Sequence, residues 1–443
     1  MTIHADYLNL LSELIALPSV SAKEEFLPET AKVLAKALAD LGADVIYDDT
    51  YFAPLVIGQL KSNNPNAETV ILYNHYDVQP AEPFDLWKTD PWTLTQTGDK
   101  LYGRGVNDDK GNITARLTAV SEYLAEHNGE LPVNITFLFE GSEETASRHL
   151  DDYVAKYADV LQADLIIWES GEKNSEDRVE IYGGNKGIVT FTLTSQTAKK
   201  DLHSSFAGVV DSAAWRITQA LATLFDQSGH ILVPGFYEDV IQPNQREREL
   251  TADIPLTRAE LIDQLGIEAP LLTDKNGQDL KETLYFEPTL SIEGISSGWQ
   301  GAGVKTVLPA RAEAKLEARL VPGMDPDKTF NQVKNYLTEQ GYGDLTLTKT
   351  LGQPGYRSDM SDPEILRVVN VVDKLYNTEP IVAPTGAGTG PMYYIHEVVQ
   401  APIASLGIGY TNNRDHAPNE NIRLADYDDD IVVIKQLIAT YEN

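Results

Sequence analysis

The sequence predicts an α/β protein: a largely parallel sheet with helices, and a smaller α+β domain inserted into it. Three observations carry this. From about Thr69 to Trp168 short apolar runs alternate with helical patterns, which is how a parallel sheet with crossover helices reads. After Gly183-Gly184 the texture changes to longer strands of alternating polar and apolar residues, and it returns to the first kind from about Gln353. At 443 residues the chain is also too long for one ordinary core. The expected ranges are 1–185 and 352–443 for the main domain and 186–351 for the insertion.

Leu8–Leu17 and Leu27–Leu41 carry apolar residues at three- and four-residue spacing and are expected as helices. "TVILYN" (Thr69–Asn74), "VNITFLF" (Val133–Phe139) and "DLIIW" (Asp164–Trp168) are expected strands, with helices at Ile113–His127 and around His149–Ala158. In the insertion, "GIVTFTLTS" (Gly187–Ser195) is a strand and Ser212–Phe225 a helix with a broad apolar face. "RAEAKLEARLV" (Arg311–Val321) alternates charged and apolar residues as a half-exposed antiparallel strand does. A helix at Pro326–Gln340 and a strand at Asp344–Thr350 complete a β-α-β-β-α-β-like set with helices on one face. The polar segment 229–288 shows no clear period. "PIASLGIGY" (Pro402–Tyr410) is a further strand, and a last helix starts at Asp426.

A net charge of −32, from 35 basic and 67 acidic residues, argues against nucleic acid or an anionic membrane as a partner, since both select basic surfaces. There is no cysteine, which excludes disulfides, thiolate metal sites and thiol nucleophiles. Any metal must be held by oxygen and imidazole. "MTIHADYLNLLSELIAL" lacks the basic-then-apolar pattern of a signal peptide, and no run approaches 18 apolar residues. A cytoplasmic location is the expectation.

The stretch "LYGRGVNDDKGN" (Leu101–Asn112) begins like a phosphate-binding glycine turn, but its third glycine is missing and Asp108-Asp109 stand in the way. Other acidic and imidazole groups follow predicted strands. His75 and Asp77 follow the first apolar run, "EGSEE" with Glu143 and Glu144 the second, Glu169 the third, and His416 follows "PIASLGIGY" after a polar turn. In open α/β sheets functional groups gather beyond the carboxyl ends of the strands. Alone, a histidine after a strand is usually a satisfied polar residue, and paired glutamates usually sit on a solvated loop. As a set without cysteine, these residues suit a two-metal hydrolytic centre whose carboxylate bridge, here Asp108, spans ions about 3.5–4 Å apart. His4, His127, His149, His230 and His396 lack that context and read as structural.

"NHYDVQP", "GRGVNDDKG", "EGSEE" and "DHAPNENI", in this order and spacing, resemble the M20 metallopeptidases over essentially the whole chain. "DLHSSFAG" and "ILVPGFYEDV" most resemble the carnosine-dipeptidase-like branch. The resemblance implies a catalytic domain with a co-catalytic metal site and a lid/dimerisation insertion. It implies two Zn2+ per subunit, with Mn2+ or Co2+ as alternatives, held by His75, Asp108, Glu144, Glu169 and His416. Asp77 would orient His75, and Glu143 would act as general base on the metal-bridging water. In the insertion, His203 resembles the histidine that reaches across a dimer to the oxyanion. Arg319 resembles the arginine that clamps a substrate carboxylate, although Arg311, Glu313, Lys315, Glu317 and Arg319 also form one charged face that could simply be solvated. "GAGTGP", with Gly388 and Thr389, resembles the family's substrate-side glycine loop.

The implied activity is hydrolysis of dipeptides or similar small peptides by a homodimer. The competing reading is an N-acyl-amino-acid deacylase or carboxypeptidase, favoured by Glu169, where dipeptidase relatives carry Asp. The glycine loop also lacks the usual "GGS" wording. From other classes, a binding protein that lost its chemistry is opposed by the complete residue set, and a dinucleotide enzyme by Asp108.

Overall fold

The computed structural model describes residues 3–442 apart from 269–270, 273–274 and 377. Positions 1, 2 and 443, the outer ends of the expected domain ranges, lie outside the described residues. The chain divides into two compact units. One comprises Met1–Gly184, Arg357–Pro384 and Pro391–Asn443; the other comprises Asn185–Tyr356 and Thr385–Gly390. The glycine turn expected in the last part of the main domain thus groups with the second unit.

The first unit is built on a six-stranded sheet. Four neighbouring strands, Asn134–Glu140, Thr69–His75, Leu165–Trp168 and the outermost, Ile403–Ser405, run parallel to one another. Asp44–Asp48 and Leu55–Leu60, not foreseen as strands, extend it antiparallel at one side. Thr69–His75 is buried along nearly its whole length, as a central parallel strand must be. Helix Lys110–Glu126 packs on it and against helices Ile3–Ile15 and Leu424–Ala439. It is buried on every side from Lys110 to Val120, which is why its sequence shows little amphipathic contrast.

"PIASLGIGY" is not one strand. Ile403–Ser405 joins the main sheet, and Gly409–Tyr410 pairs instead with Glu172–Lys173 in a separate four-stranded sheet. The break falls where Gly407 meets Gly171: a Cβ on Gly407 would lie 2.4 Å from the Gly171 nitrogen. The chain can approach itself this closely only without a side chain.

The second unit holds an antiparallel sheet in the order Thr289–Ser297, Arg311–Leu320, Gly187–Gln196, Thr346–Gln353. Helices Ala213–Ala222 and Pro326–Leu337 pack on it. Its core is the inward set Val189, Phe191, Leu193, Ala314, Leu316 and Ala318 with Ile217, Leu221 and Val333, the period-two pattern read from the sequence. Segment 229–288 contains helices Gln245–Asp253, Arg258–Leu265 and Gly277–Phe286. Among the described residues no helix is long and apolar enough to cross a membrane.

Candidate metal centre

Three parallel strands of the first unit end side by side. His75 closes its strand in register with Glu140 on one neighbour, and Leu72 pairs with Ile167 on the other. Just beyond these ends come Asp77, the single turn Glu143–Thr145, and Glu169. Asp108 arrives from the turn preceding helix Lys110–Glu126. That turn depends on Gly105, whose φ of 82° suits glycine and whose missing Cβ would lie 2.6 Å from a Val78 methyl. The Asp108–Asp109 peptide is cis. His416 comes from the loop after Gly409–Tyr410, at φ 55°, a region that non-glycine residues seldom occupy. It therefore reaches the centre from the smaller sheet, and not from an end of the main sheet as the sequence suggested.

Asp108 stands between the two histidines. One carboxylate oxygen is 2.9 Å from His75 Nε2 and the other is 2.9 Å from His416 Nε2. His416 Nε2 is also 3.2 Å from Glu144, and His75 Nε2 is 3.8 Å from Glu169. Two ligand-forming groups result, His75 with Glu143 and Glu169, and Asp108 with Glu144 and His416; within each, the candidate atoms lie within 4.8 Å of one another. Asp77 is fully buried behind them. His75 Nδ1 is 3.1 Å from its backbone carbonyl and 3.3 Å from a carboxylate oxygen. The same carboxylate accepts the backbone N–H groups of Glu143 and Glu144, each at 3.1 Å. With Nδ1–H donated to Asp77, the Nε2 lone pair of His75 points at the carboxylates, which is the tautomer a metal ligand needs.

Electrostatics fit a cation. The six groups offer four carboxylates against two imidazoles, all oxygen or nitrogen donors of the kind that zinc, manganese and cobalt accept. Burial pushes the Glu143 and Glu169 carboxyls well above the ordinary range, with neighbouring carboxylates adding to the push and His75 opposing it. Hydrogen bonds to Asp108 and Glu144 raise the His416 imidazole to about 11. Burial works against ionisation of Asp108, yet its bonds with His416 and His75 hold it well below the usual value. One buried oxygen of Glu169 makes no hydrogen bond, which leaves a lone pair free for a metal.

The structure also supplies supports that the sequence did not disclose. Arg116 is buried and donates to the backbone carbonyls of Tyr73, Trp168 and Leu406 and to the Asn74 side chain. It thereby ties together the chain ends that carry the site. Asp109 accepts from the Asn74 amide and the His75 backbone N–H. The one signal for Arg116 was an arginine within "ITARLTAV", a stretch otherwise made of small and apolar residues.

The remaining candidates lie in the second unit. Arg319 Nε donates to Glu317 at 2.7 Å, and its Nη1 donates to the Thr389 hydroxyl. Thr389 is bridged to Lys186, whose backbone N–H donates to the Gly388 carbonyl at 2.9 Å. Arg319 and the glycine loop are therefore in contact. His203 is exposed, with Nδ1 2.9 Å from the Ser205 hydroxyl.

The sequence profile described as peptidase family M20/M25/M40 matches residues 71–440. The chain belongs to that family. A beta-Ala-His dipeptidase of Rattus norvegicus is 30% identical to this M20 chain over 398 residues, spanning 88% of it and 80% of the relative. The Cys-Gly metallodipeptidase dug1 of Schizosaccharomyces pombe is 32% identical over 354 residues, 75% of this chain and 73% of the relative. The crystal structure of an M20 family metallo-carboxypeptidase from Sulfolobus solfataricus superposes with a TM-score of 0.91 at 34% identity, covering 98% of this chain and 99% of that one. As a member of this family the protein is an enzyme that hydrolyses peptide bonds, and membership implies a metal cofactor.

Proposed function

We propose that this M20 enzyme is a two-zinc dipeptidase, with Mn2+ or Co2+ able to substitute. The observation that carries the reading is the Asp108 carboxylate shared between His75 and His416. His75, Asp108 and Glu169 would hold one ion, and Asp108, Glu144 and His416 the other. When bound, two such ions supply Lewis acidity toward the scissile carbonyl and a lowered pKa for water. Glu143 takes a proton from the attacking water and returns it to the leaving nitrogen. Asp77 keeps Glu143 in place through its backbone and His75 in the required tautomer. For the free carboxylate of the substrate, Arg319 offers a planar two-pronged donor, with Thr389 and Gly388 beside it.

The range 186–351 would serve as lid and dimerisation domain, with 1–185 and 352–443 as the catalytic part, in a cytoplasmic homodimer. Two features of the second unit support assembly. Thr289–Ser297 is an outer strand of its sheet with Ile292 and Ile295 exposed, and helix Ala213–Ala222 exposes Trp215. An apolar outer strand is a ready pairing surface, and two-fold dimers are the commonest assemblies. In such a dimer His203 of one subunit completes the site of the other.

The second reading is an N-acyl-amino-acid deacylase or carboxypeptidase. It is favoured by Glu169 and by likeness to a metallo-carboxypeptidase. Removing metal with a chelator and restoring Zn2+ should abolish and then recover hydrolysis of free dipeptides. Activity that survives chelation would overturn the metal role. A clear preference for N-acylated over free dipeptides would replace the first reading with the second.

A further inference from the structure

Glu420 is fully buried immediately before the strand Asn421–Arg423, in the same loop as His416. Each of its carboxylate oxygens takes two donors. One accepts Arg104 Nη1 at 2.7 Å and the Gly105 backbone N–H at 2.9 Å. The other accepts the backbone N–H groups of Asn107 at 2.9 Å and Asp108 at 3.1 Å. The Asp108 turn is thus wound around a carboxylate supplied by the His416 loop. Arg104 extends the link, because its Nη2 donates to the carbonyls of Pro80 and Ala417. A second, smaller bridge runs alongside, from the Asn107 amide to Asp415 at 2.7 Å.

We infer that Glu420 is a positioning residue that sets the spacing between Asp108 and His416 through this four-donor grip, without touching ion or substrate. The inference rests on the reading of Asp108 and His416 as metal ligands. Its chemistry is specific to a carboxylate. All four partners are donors, so both oxygens must accept. A glutamine would aim its NH2 either at Arg104 and Gly105 or at Asn107 and Asp108, and one pair of donors would be left facing a donor. Groups that orient metal ligands from behind typically change metal affinity by about 10–100-fold when altered.

The test compares wild type, Glu420→Gln and Glu420→Asp with Ile434→Val, a core change in helix Leu424–Ala439. Zn2+ affinity and stoichiometry are read by competition with a chromophoric chelator, and thermal midpoints are taken on the metal-free proteins. The expected result for Glu420→Gln is a loss of about 10–100-fold in affinity for at least one of two ions. Glu420→Asp, which keeps both acceptor oxygens, should recover part of that loss. Ile434→Val should bind metal as wild type does, whatever its midpoint. Should Glu420→Gln fail to fold, Glu420→Asp carries the comparison, with a smaller loss expected. Native affinity and stoichiometry in the Glu420 variant that folds would overturn the inference. So would an affinity loss in Ile434→Val in proportion to its lost stability. A wild-type protein that binds no Zn2+ would instead bring down the metal reading on which the inference stands.

Discussion

His75 turns its Nδ1 toward Asp77, which answers with both a backbone carbonyl and a carboxylate oxygen. That carboxylate also holds the backbone of the two glutamates across the centre, so one buried side chain orients ligands on a strand and on the turn Glu143–Thr145. Asp77→Asn keeps one acceptor but turns an NH2 toward backbone donors. Metal affinity should fall by about 10–100-fold, read by chelator competition. Unchanged affinity would mean that the backbone carbonyl of Asp77 alone orients the imidazole.

The neighbouring glutamates are expected to divide the work. Glu143→Gln is nearly isosteric but accepts no proton, so turnover should drop by about 10²–10⁴-fold with metal content unchanged. Glu144→Gln should lose metal. The geometry makes this comparison pointed, because Glu143 also lies within ligand reach of His75 and Glu169. If Glu143→Gln lost metal while Glu144→Gln kept it, the two roles would be exchanged.

Three residues beyond Glu169, Glu172 faces Glu180 directly across an antiparallel pair. Burial, with the Glu180 charge adding to it, pushes the Glu172 carboxyl up to about 7 from an ordinary 4.5. Between those values the folded chain keeps a proton that the unfolded chain has lost. Its contribution to stability is therefore full below about pH 4.5 and lost as pH rises through about 7. Glu172→Gln should flatten this part of the profile, raising stability by about 1–3 kcal/mol at pH 8 and by much less at pH 5. Urea midpoints at the two pH values read the difference; equal gains at both would show that the carboxyl titrates normally.

Mixing two inactive variants tests the shared site. His203→Ala and Glu143→Gln, combined under subunit exchange, should recover up to roughly a quarter of wild-type activity, since half the dimers carry one intact site of two. No recovery despite proven exchange would place His203 within its own chain's chemistry or outside it altogether.

The sequence disclosed the site's ligands better than their supports, for a physical reason. His75, Glu143, Glu144 and Glu169 each follow an apolar run, and a strand's end is visible where hydrophobicity stops. Asp77's bonds to two backbone N–H groups leave no trace in composition, and neither does Arg116's reach to carbonyls on separate strands. Segment 229–288 had no period because its helices are short and polar; Gln245–Asp253 buries only Glu247, Leu250 and Thr251. A signal was present in the caps. Asn244 with Glu247 and Thr257 with Glu260 form reciprocal capping boxes, and the spacing alone marks such helix starts. The division of "PIASLGIGY" was hidden because the close approach of Gly407 to Gly171 is a tertiary event.

Arg116 lies 290 residues before Leu406, the source of one of its acceptors, and the strand Ile403–Ser405 that covers Leu165–Trp168 comes equally late. During synthesis the second unit, nearly continuous in sequence, can fold as it emerges, since domains generally fold as units from the N-terminal side. The first cannot. Until residue 406 is made, the Arg116 guanidinium lacks one of its four acceptors, and a sheet edge stands open to other chains. Chains cut short within the second unit should therefore accumulate as aggregates, not as inactive soluble enzyme, and the earliest-made half of the catalytic scaffold is the last to reach its native form.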